Sequence, residues 1–346
     1  MSATAPAPRP ILLVTSEVPP DRVASFRALH QRMPLLVARF GGERRHAMTG
    51  VDDPGVPVVD AAEREIARLA KDARAVVAGT VGRVALPAAY LGARRARVPV
   101  VLWTALWAHP RTPAHAASWP LLRHLYANAD AVATYGEHVS AYVARRGARN
   151  VRVAPQAVDA AFWSAPREEP DRFRAVFVGR VAREKGIDVL LDAWRRARMD
   201  GELVVVGPGT APPGITSTGP LPPEEVRNFL AGASVLVMPS IATRAFREPW
   251  GLVANEAMHM NVPVIASDAV GAAAGGLVRH ERNGLIVPAN DAEALAGALR
   301  RMAGDDTLRR TLGTNAGRDV AAFTPEAWAA GMAAAVESAE RRRRNA

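Results

Sequence analysis

The sequence contains no cysteine, which excludes a disulfide framework and any metal or redox centre built on thiolates. It has no long hydrophobic run either, because the longest apolar stretch, around residues 98–108, is far shorter than the roughly 20 residues that a membrane-spanning helix needs. The first ten residues are rich in Pro and Ala, and the apolar run at 11–14 is too short for a signal peptide. These absences predict a soluble protein, and the lack of cysteine suits a reducing cytoplasm.

Lysine is almost absent, since only Lys71 and Lys185 occur among 44 basic residues, which leaves 44 − 2 = 42 arginines. The net charge of +10 favours anionic partners such as nucleotide phosphates, nucleic acid or an acidic membrane face. Because Lys is a compact point charge and Arg a planar fork, a lysine kept in such a chain indicates a position that needs it. No aromatic interleaving or nucleic-acid motif accompanies the arginines, so we expect no nucleic-acid partner.

The chain of 346 residues alternates short β-branched runs with helical patterns, which predicts α/β domains with parallel sheets. Its length allows about two domains. The Pro-containing stretch of mixed charge at residues 160–172 is interpreted as the linker. We therefore predict one domain at 1–160 and a second at 161–324. The helix at 325–346 is expected to pack back on the first domain and to end in a basic tail at 341–344.

Three further segments receive structural predictions. Residues 104–120 form a long, Pro-broken, aromatic stretch of the kind that serves as a binding loop. Residues 271–276 are a run of small residues and are also predicted to be a loop. The apolar spacing of residues 60–70, by contrast, predicts a helix.

The stretch RAFREPWGLVANEAMHMNVP, residues 244–263, carries two carboxylates, Glu248 and Glu256. Pro249 and Gly251 precede an apolar helix that lies between two strands, which predicts a βαβ unit with an anion-binding edge. Eight positions at the helical rise amount to roughly 12 Å. A retaining glycosidase pair needs about 5 Å, so we interpret the glutamates as separate contacts on one elongated ligand. Two solvated helix charges are the alternative.

A loop with two cations follows the strand at 175–178. Gly179 allows close approach of a ligand to the backbone, and Arg180 and Lys185 place positive charge at the carboxyl edge of the sheet. A charge-assisted hydrogen bond contributes about 1.5–3 kcal/mol, against about 0.3–1 kcal/mol for an exposed helix dipole. The cations should therefore dominate diphosphate binding. A merely solvated basic loop is the alternative.

The segments FVGRVAREKGIDVLLDAW, VVVGPG, VLVMPS, EPWGLVANEAM and VPVIASD with NGLIVP resemble, in this order, the donor-binding half of family 4 retaining glycosyltransferases of group 1 type. ILLVTSEVPP and NVRVAPQAVD are similar to the first strand and the end of that family's acceptor half. The resemblance implies the GT-B fold, with two Rossmann-like, doubly wound domains facing each other across a cleft that holds the active site. It also implies transfer of a sugar, most readily a hexose, from a nucleotide-diphosphate sugar to an acceptor hydroxyl.

The resemblance assigns roles to individual positions. Arg180 and Lys185 match the pair that holds the donor diphosphate and stabilises the leaving nucleotide. Glu248 matches the glutamate at the donor sugar, and Glu256 the one that binds the ribose hydroxyls. The backbone amides of Gly251 and Leu252 match groups that meet sugar and phosphate.

An acceptor-half histidine often contacts the donor sugar in this family, and His109 in WAHPRT is the candidate here. A packed histidine in an aromatic loop is the alternative. The sequence departs from the family pattern where DRVA at 21–24 replaces a glycine pair, where Gln156 stands in a motif that usually has Asn, and where AVGAAAGG follows VIASD.

We expect neither a metal nor a cofactor. The sequence has no Asp-x-Asp motif, and the two cations would replace Mg²⁺. The resemblance implies that the leaving phosphate itself takes the acceptor proton. The expected partners are a nucleotide-sugar donor and a glycan, lipid-linked or small-molecule acceptor. We expect a cytoplasmic location, with residues 341–344 either solvated or in peripheral contact with anionic lipid.

Other functions remain open at this point. A sugar-nucleotide epimerase or a glycan phosphorylase of the same fold would carry a similar donor half. A non-catalytic basic adaptor at a membrane surface would carry the same excess of arginine.

Overall fold

The structure is a computed structural model that describes residues 8–41, 51, 53–210 and 215–345. The strands are β1 Ile11–Thr15, β2 Leu35–Arg39, β3 Val58–Asp60, β4 Ala75–Gly79, β5 Val100–Thr104, β6 Ala131–Thr134, β7 Val151–Val153, β8 Arg174–Val178, β9 Glu202–Val206, β10 Thr216–Gly219, β11 Val235–Met238, β12 Val264–Ser267 and β13 Gly284–Val287. The helices are α1 Pro20–Arg32, α2 Ile66–Leu69, α3 Ala85–Arg95, α4 Pro113–Asn128, α5 Glu137–Ala144, α6 Ala160–Trp163, α7 Ile187–Ala197, α8 Pro223–Ala231, α9 Val253–His259, α10 Gly271–Ala274, α11 Ala292–Gly304, α12 Asp306–Val320 and α13 Pro325–Arg344.

The described chain divides into two units. Unit 1 lies within residues 1–105, 117–155 and 325–346, and unit 2 comprises residues 106–116 and 156–324. The predicted boundary at 160 lies close to residue 156, where the longer part of unit 2 begins. The short segment 106–116, however, clusters with unit 2 although unit 1 surrounds it in sequence.

Unit 1 is built on a seven-stranded parallel sheet in the order β3-β2-β1-β4-β5-β6-β7. Its inner strand β1 is buried from Ile11 to Val14, and Ile11, Leu12 and Leu13 are 0% exposed. Strands covered on both faces read as continuous apolar runs, which is why ILLV predicts this strand so clearly.

Helix α13 packs against α1 in unit 1. Trp328 of α13 is fully buried, and its ring lies 5.7 Å from Phe26 and 5.5 Å from Trp103. Gly331 brings α13 close to β7, because a Cβ atom there would lie 2.2 Å from the Val153 carbonyl oxygen. The predicted basic tail belongs to this helix, which continues to Arg344.

Unit 2 has a six-stranded parallel sheet in the order β10-β9-β8-β11-β12-β13. Helices α7 and α11 pack together on it. Their apolar residues recur every three or four positions, as Ile187, Leu190 and Ala193 do in α7, and these residues are buried. Both units are therefore Rossmann-like doubly wound domains, as predicted.

The order of strands reverses in unit 2 between β8 and β11. From β8 the chain proceeds to β9 on one side, whereas β11 lies on the other side. In open parallel sheets, ligands bind outside the carboxyl ends of the strands at such a switch point. The loops that follow β8 and β11 are therefore the first place to look for a site.

Two predictions of local structure were wrong, and a third was right only in part. Residues 60–70 do not form one helix, because β3 extends to Asp60, whose carboxylate accepts bonds of 2.8 and 3.0 Å from Arg39 on β2. A broken helical stretch with α2 at its centre does run from Glu63 to Asp72. The predicted loop at 104–120 ends early, since α4 begins at Pro113 and includes Pro120. The small residues at 271–276 include the one-turn helix α10.

Besides β3, two short elements escaped prediction. The linker contains α6, whose N-terminus is capped by Asp159, because the Oδ1 atom accepts from the Ala161 amide at 3.0 Å. Strand β10 has the sequence TSTG and no apolar residue, so its edge position could not be read from periodicity. Among the described residues, no helix is both long and apolar enough to cross a membrane.

Candidate functional site

The loops after β8 and β11 lie against each other at the switch point. Gly186 has a φ angle of +72°, and a Cβ atom there would lie 1.9 Å from the Pro239 carbonyl oxygen. Only glycine permits this conformation and this approach together. The Ile241 amide also donates to the Glu184 carbonyl at 3.0 Å. The two loops therefore form one layer of backbone above the sheet.

The loop after β9 completes this layer. A Cβ atom on Gly207, whose φ angle is +135°, would lie 2.2 Å from the Gly179 carbonyl oxygen. The Val181 amide donates to the Pro208 carbonyl at 2.8 Å. The glycines of VVVGPG therefore allow the loop after β9 to pack closely against the loop that carries Gly179.

Lys185 and Glu248 form an ion pair at the centre of this layer. Lys185 Nζ donates to Glu248 Oε2, and Ser240 Oγ donates to the same oxygen at 3.1 Å. The Glu248 residue is 6% exposed, and the Lys185 side chain is 23% exposed. Two residues that the sequence assigned to separate motifs are thus in direct contact.

The backbone of Glu248 is fixed as firmly as its side chain. Its carbonyl oxygen accepts from Trp107 Nε1 at 2.9 Å and from the Gly271 amide at 3.1 Å. Glu248 also forms an isolated parallel bridge with Val270. Glu248 as a whole is therefore held by groups from four parts of the chain, two at its carboxylate and two at its backbone.

Arg180 has a different environment. Its Nη2 atom donates to Glu184 Oε1 at 2.9 Å, and Glu184 lies four residues further along the same loop. The Arg180 side chain is 47% exposed. Exposed pairs of this kind contribute only about 0–1 kcal/mol, so the guanidinium can exchange Glu184 for another anion at little cost.

Glu256 lies on helix α9, which begins at Val253, one residue later than the sequence suggested. Its backbone amide donates to the Leu252 carbonyl at 3.2 Å, and its side chain is half-buried. Gly251 precedes the helix with a φ angle of +90°.

A buried polar network behind this loop was missed by sequence analysis. Trp250 Nε1 donates to Asn255 Oδ1 at 2.8 Å, and Asn255 Nδ2 donates to the Gln156 carbonyl at 3.0 Å. Asn255 is 0% exposed and Trp250 is 2% exposed. The sequence contained one signal for this network: Asn255 is a polar residue on the apolar face of the helix, five residues after Trp250.

His109 lies in the segment 106–116, within unit 2. Its Nε2 atom is 3.2 Å from the His115 carbonyl oxygen, and the two imidazole rings meet edge to face with centroids 6.1 Å apart. The same segment contributes Trp107, which contacts the Glu248 carbonyl. The structure therefore brings the segment of His109 to the loop of Glu248, through a tryptophan that the sequence analysis did not single out.

The described residues contain no group of three or more His, Asp or Glu side chains placed to hold a metal ion.

Comparison with known proteins gives matches to both sequence and fold. Residues 172–305 match the protein family described as glycosyl transferases group 1. A D-inositol 3-phosphate glycosyltransferase of Nocardioides sp. is 36% identical over 123 residues, which are 35% of this chain and 25% of that protein. An alpha-maltose-1-phosphate synthase of Mycolicibacterium smegmatis is 31% identical over 209 residues, which cover 49% of this chain and 51% of that protein. The chain thus spans between a quarter and about half of the length of these curated relatives.

Among solved structures, the HepE protein of Anabaena in complex with UDP and glucose superposes with a TM-score of 0.76. The superposition covers 94% of this chain and 98% of HepE, at 17% sequence identity. This likeness shows the GT-B fold.

Proposed function

Because this chain carries a group 1 glycosyl transferase domain, we propose that it transfers a sugar from a nucleotide-diphosphate sugar to an acceptor hydroxyl, with retention of anomeric configuration. The observation that carries the proposal is the Lys185–Glu248 pair at the switch point of the unit 2 sheet. A partly exposed cation in contact with a buried carboxylate provides one group for a phosphate and one for sugar hydroxyls.

Lys185 and Arg180 neutralise the diphosphate in this proposal. Cleavage of the donor leaves an additional negative charge on the β-phosphate, and fixed cations lower the energy of that state. Each charge-assisted hydrogen bond contributes about 1.5–3 kcal/mol. This exceeds the about 0–1 kcal/mol of the exposed Arg180–Glu184 pair, so Arg180 is expected to leave Glu184 when the donor binds.

Glu248 binds the donor sugar. Its Oε2 atom is occupied by Lys185 and Ser240 in the structure. A carboxylate has about four acceptor positions, so its other oxygen remains able to accept from a sugar hydroxyl. As Lys185 turns toward the phosphate, Ser240 continues to hold the carboxylate in place.

The remaining contacts come from the loop and helix after Glu248, and from the segment 106–116. Glu256 binds the ribose hydroxyls, and the amides of Gly251 and Leu252, together with the Gly179 backbone, approach the sugar and the phosphates. His109 contacts the donor sugar. Its place in a segment that also contacts the Glu248 carbonyl supports this role.

The reaction is proposed to need no metal and no protein base. The two cations provide the charge that Mg²⁺ supplies elsewhere, and the leaving phosphate takes the proton of the acceptor hydroxyl on the same face. We propose on this basis that the protein is a family 4 enzyme. The reaction then requires positioning and electrostatic stabilisation from the enzyme.

The acceptor is proposed to be a glycan, a lipid-linked sugar or a small molecule, in the synthesis of a glycoconjugate, glycolipid or polysaccharide. The two curated relatives are named for D-inositol 3-phosphate and for alpha-maltose 1-phosphate. We place the enzyme in the cytoplasm. The arginines at the end of α13 provide peripheral contact with anionic lipid, each adding about 1 kcal/mol near the surface.

A donor panel tests the proposal. UDP, GDP, dTDP and ADP sugars are mixed singly with the protein, and thermal unfolding reports binding. Sugars of one of these nucleotides should raise the melting temperature of the protein. The donor that binds should lose its sugar only when an acceptor is present. Conversion of donor alone would indicate an epimerase, and turnover with phosphate and a glycan a phosphorylase. Binding of anionic vesicles without any response to nucleotides would indicate a membrane adaptor.

A further inference from the structure

Arg247, directly before Glu248, stacks on an aromatic ring. Its guanidinium carbon lies 3.7 Å from the centroid of the Trp107 ring, and the residue is half-buried. Its Nε atom is buried and has no hydrogen-bond partner among the described residues. The planar group is therefore held by Trp107 on one side, with its orientation fixed.

The charge of Arg247 is poorly compensated within the described part of the chain. Burial lowers the pKa of its guanidinium, and Asp268 opposes this only through space. A charged group removed from water is costly unless it is paired and hydrogen-bonded. Such an arginine is suited to an anion that arrives from solution.

Two other arginines, Arg111 and Arg244, lie on the two segments that carry Trp107 and Arg247. The Arg111 amide donates to the Arg244 carbonyl at 2.5 Å, which joins the segment 106–116 to the loop at 241–247. Neither of these segments contains an Asp or a Glu. Both side chains are exposed, so the two segments that carry Trp107 and Arg247 also present positive charge to solvent, which no acidic residue within them offsets.

Internal hydrogen bonds close the turn directly before Arg247. Thr243 Oγ1 accepts from the Phe246 amide at 3.0 Å, and the Thr243 amide donates to the Phe246 carbonyl at 2.8 Å. Successive side chains of an extended segment point to opposite sides. Glu248 accordingly reaches Lys185 while Arg247 reaches Trp107, whose Nε1 atom holds the Glu248 carbonyl.

We propose that Arg247, stacked on Trp107 and accompanied by Arg111 and Arg244 on the same two segments, binds a carboxylate or phosphate group carried by a sugar substrate. This inference rests on the proposed function, and it adds a second anion site beside the one for the diphosphate. A planar guanidinium matches both anions through two parallel hydrogen bonds, and the stacking sets its plane in advance. The anionic group belongs either to the donor sugar or to the acceptor.

The experiment has two arms, each run on wild type, Arg247→Gln, Arg247→Lys and the control Arg195→Gln. Arg195 is an exposed arginine on α7. In the donor arm, calorimetry compares UDP-glucuronate with UDP-glucose, or the corresponding pair for the base that binds. In the acceptor arm, glucose 6-phosphate and glucuronate are compared with glucose, with and without saturating UDP.

In one arm, wild type should bind the anionic sugar at least about tenfold more tightly than the neutral one, the effect of one charge-assisted hydrogen bond. Arg247→Gln should lose this preference, Arg247→Lys should keep part of it, and Arg195→Gln should retain it. The arm that responds identifies the source of the anion.

A preference that is absent in both arms, or that survives in Arg247→Gln, would overturn the inference. If UDP still binds in that case, the proposed function stands and only the second anion site is wrong. If no nucleotide binds, the proposed function fails, and the acceptor arm without UDP still decides whether Arg247 recognises anionic sugars.

Discussion

Lys185 on the loop after β8 donates a hydrogen bond to Glu248 on the loop after β11, across 63 positions of sequence. The pair forms because β8 and β11 are neighbours at the point where the strand order of unit 2 reverses. Gly186 and Pro239 bring the two loops into backbone contact beside it. One of only two lysines in the chain thus stands at the carboxyl edge of the sheet, against a nearly buried carboxylate.

Replacing Lys185 by Ala should abolish sugar transfer and lower stability moderately. Removing one partner of a buried ion pair costs about 3–5 kcal/mol. The loss here should be smaller, because Lys185 is partly exposed and Ser240 still donates to Glu248. Activity assays and urea unfolding measure the two effects.

The control for this prediction is Lys71→Ala, which removes the other lysine of the chain, an exposed residue in unit 1. It should leave both activity and stability near those of wild type. Near-normal turnover by a folded Lys185→Ala variant would remove this lysine from the reaction.

Gly186→Ala should displace the loop that carries Arg180 and Lys185. Both Gly186 and Gly219 have φ angles of +72°, where a side chain costs roughly 1–2 kcal/mol. A Cβ atom on Gly186 would also lie 1.9 Å from the Pro239 carbonyl oxygen, whereas a Cβ atom on Gly219 would meet no non-adjacent atom of the described residues within 4 Å.

Gly219→Ala is therefore the matched control, and it should show the strain alone. Urea unfolding should give a clearly larger loss for Gly186→Ala, and nucleotide affinity should fall only in that variant. Equal losses of stability in the two variants would mean that the close contact between the loops after β8 and β11 does not contribute to stability.

The Trp250–Asn255 hydrogen bond should be measurable by a double-mutant cycle. Trp250→Phe leaves the buried Oδ1 atom of Asn255 without its donor, and an unsatisfied buried group costs about 1–3 kcal/mol. Asn255→Leu removes the amide and its bond to the Gln156 carbonyl. The loss in the double variant should be smaller than the sum of the single losses, and simple additivity would show that the network contributes no coupling.

Stability should decrease in mildly acidic solution because of His259. Burial lowers the pKa of its imidazole, and the nearby Asp159 opposes this only in part. Below the unfolded-state pKa of about 6.5, the unfolded chain binds a proton more readily than the folded one, so the free energy of unfolding falls as the pH falls toward the folded-state pKa.

Urea unfolding at several pH values between about 7 and 5 tests this in wild type and His259→Gln. The variant should lose less stability than wild type over this range. Parallel curves for the two proteins would show that His259 does not contribute.

The sequence predicted the parts of the site that depend on local pattern. Apolar runs located β8 and β11, and the residues after them included Lys185 and Glu248. Matching of motifs could not show that these two side chains meet, because their contact depends on the order of strands in the sheet.

The residues that sequence analysis missed depend on contacts between distant segments. Trp107 meets Glu248 across 141 positions, and Asn255 meets Gln156 across 99. Neither contact leaves a periodic signal. Pro113 and Pro120 favoured a loop locally, yet both lie in α4. Proline is tolerated at a helix start, which accounts for Pro113, whereas nothing in the structure explains the exposed Pro120 inside the helix.

The most direct test is a crystal structure with the nucleotide-diphosphate sugar that the donor panel selects. The account predicts that both phosphates lie within hydrogen-bond distance of Arg180 and Lys185, with the ribose at Glu256 and the sugar at Glu248. A donor bound elsewhere, with the Lys185–Glu248 pair unchanged, would contradict it.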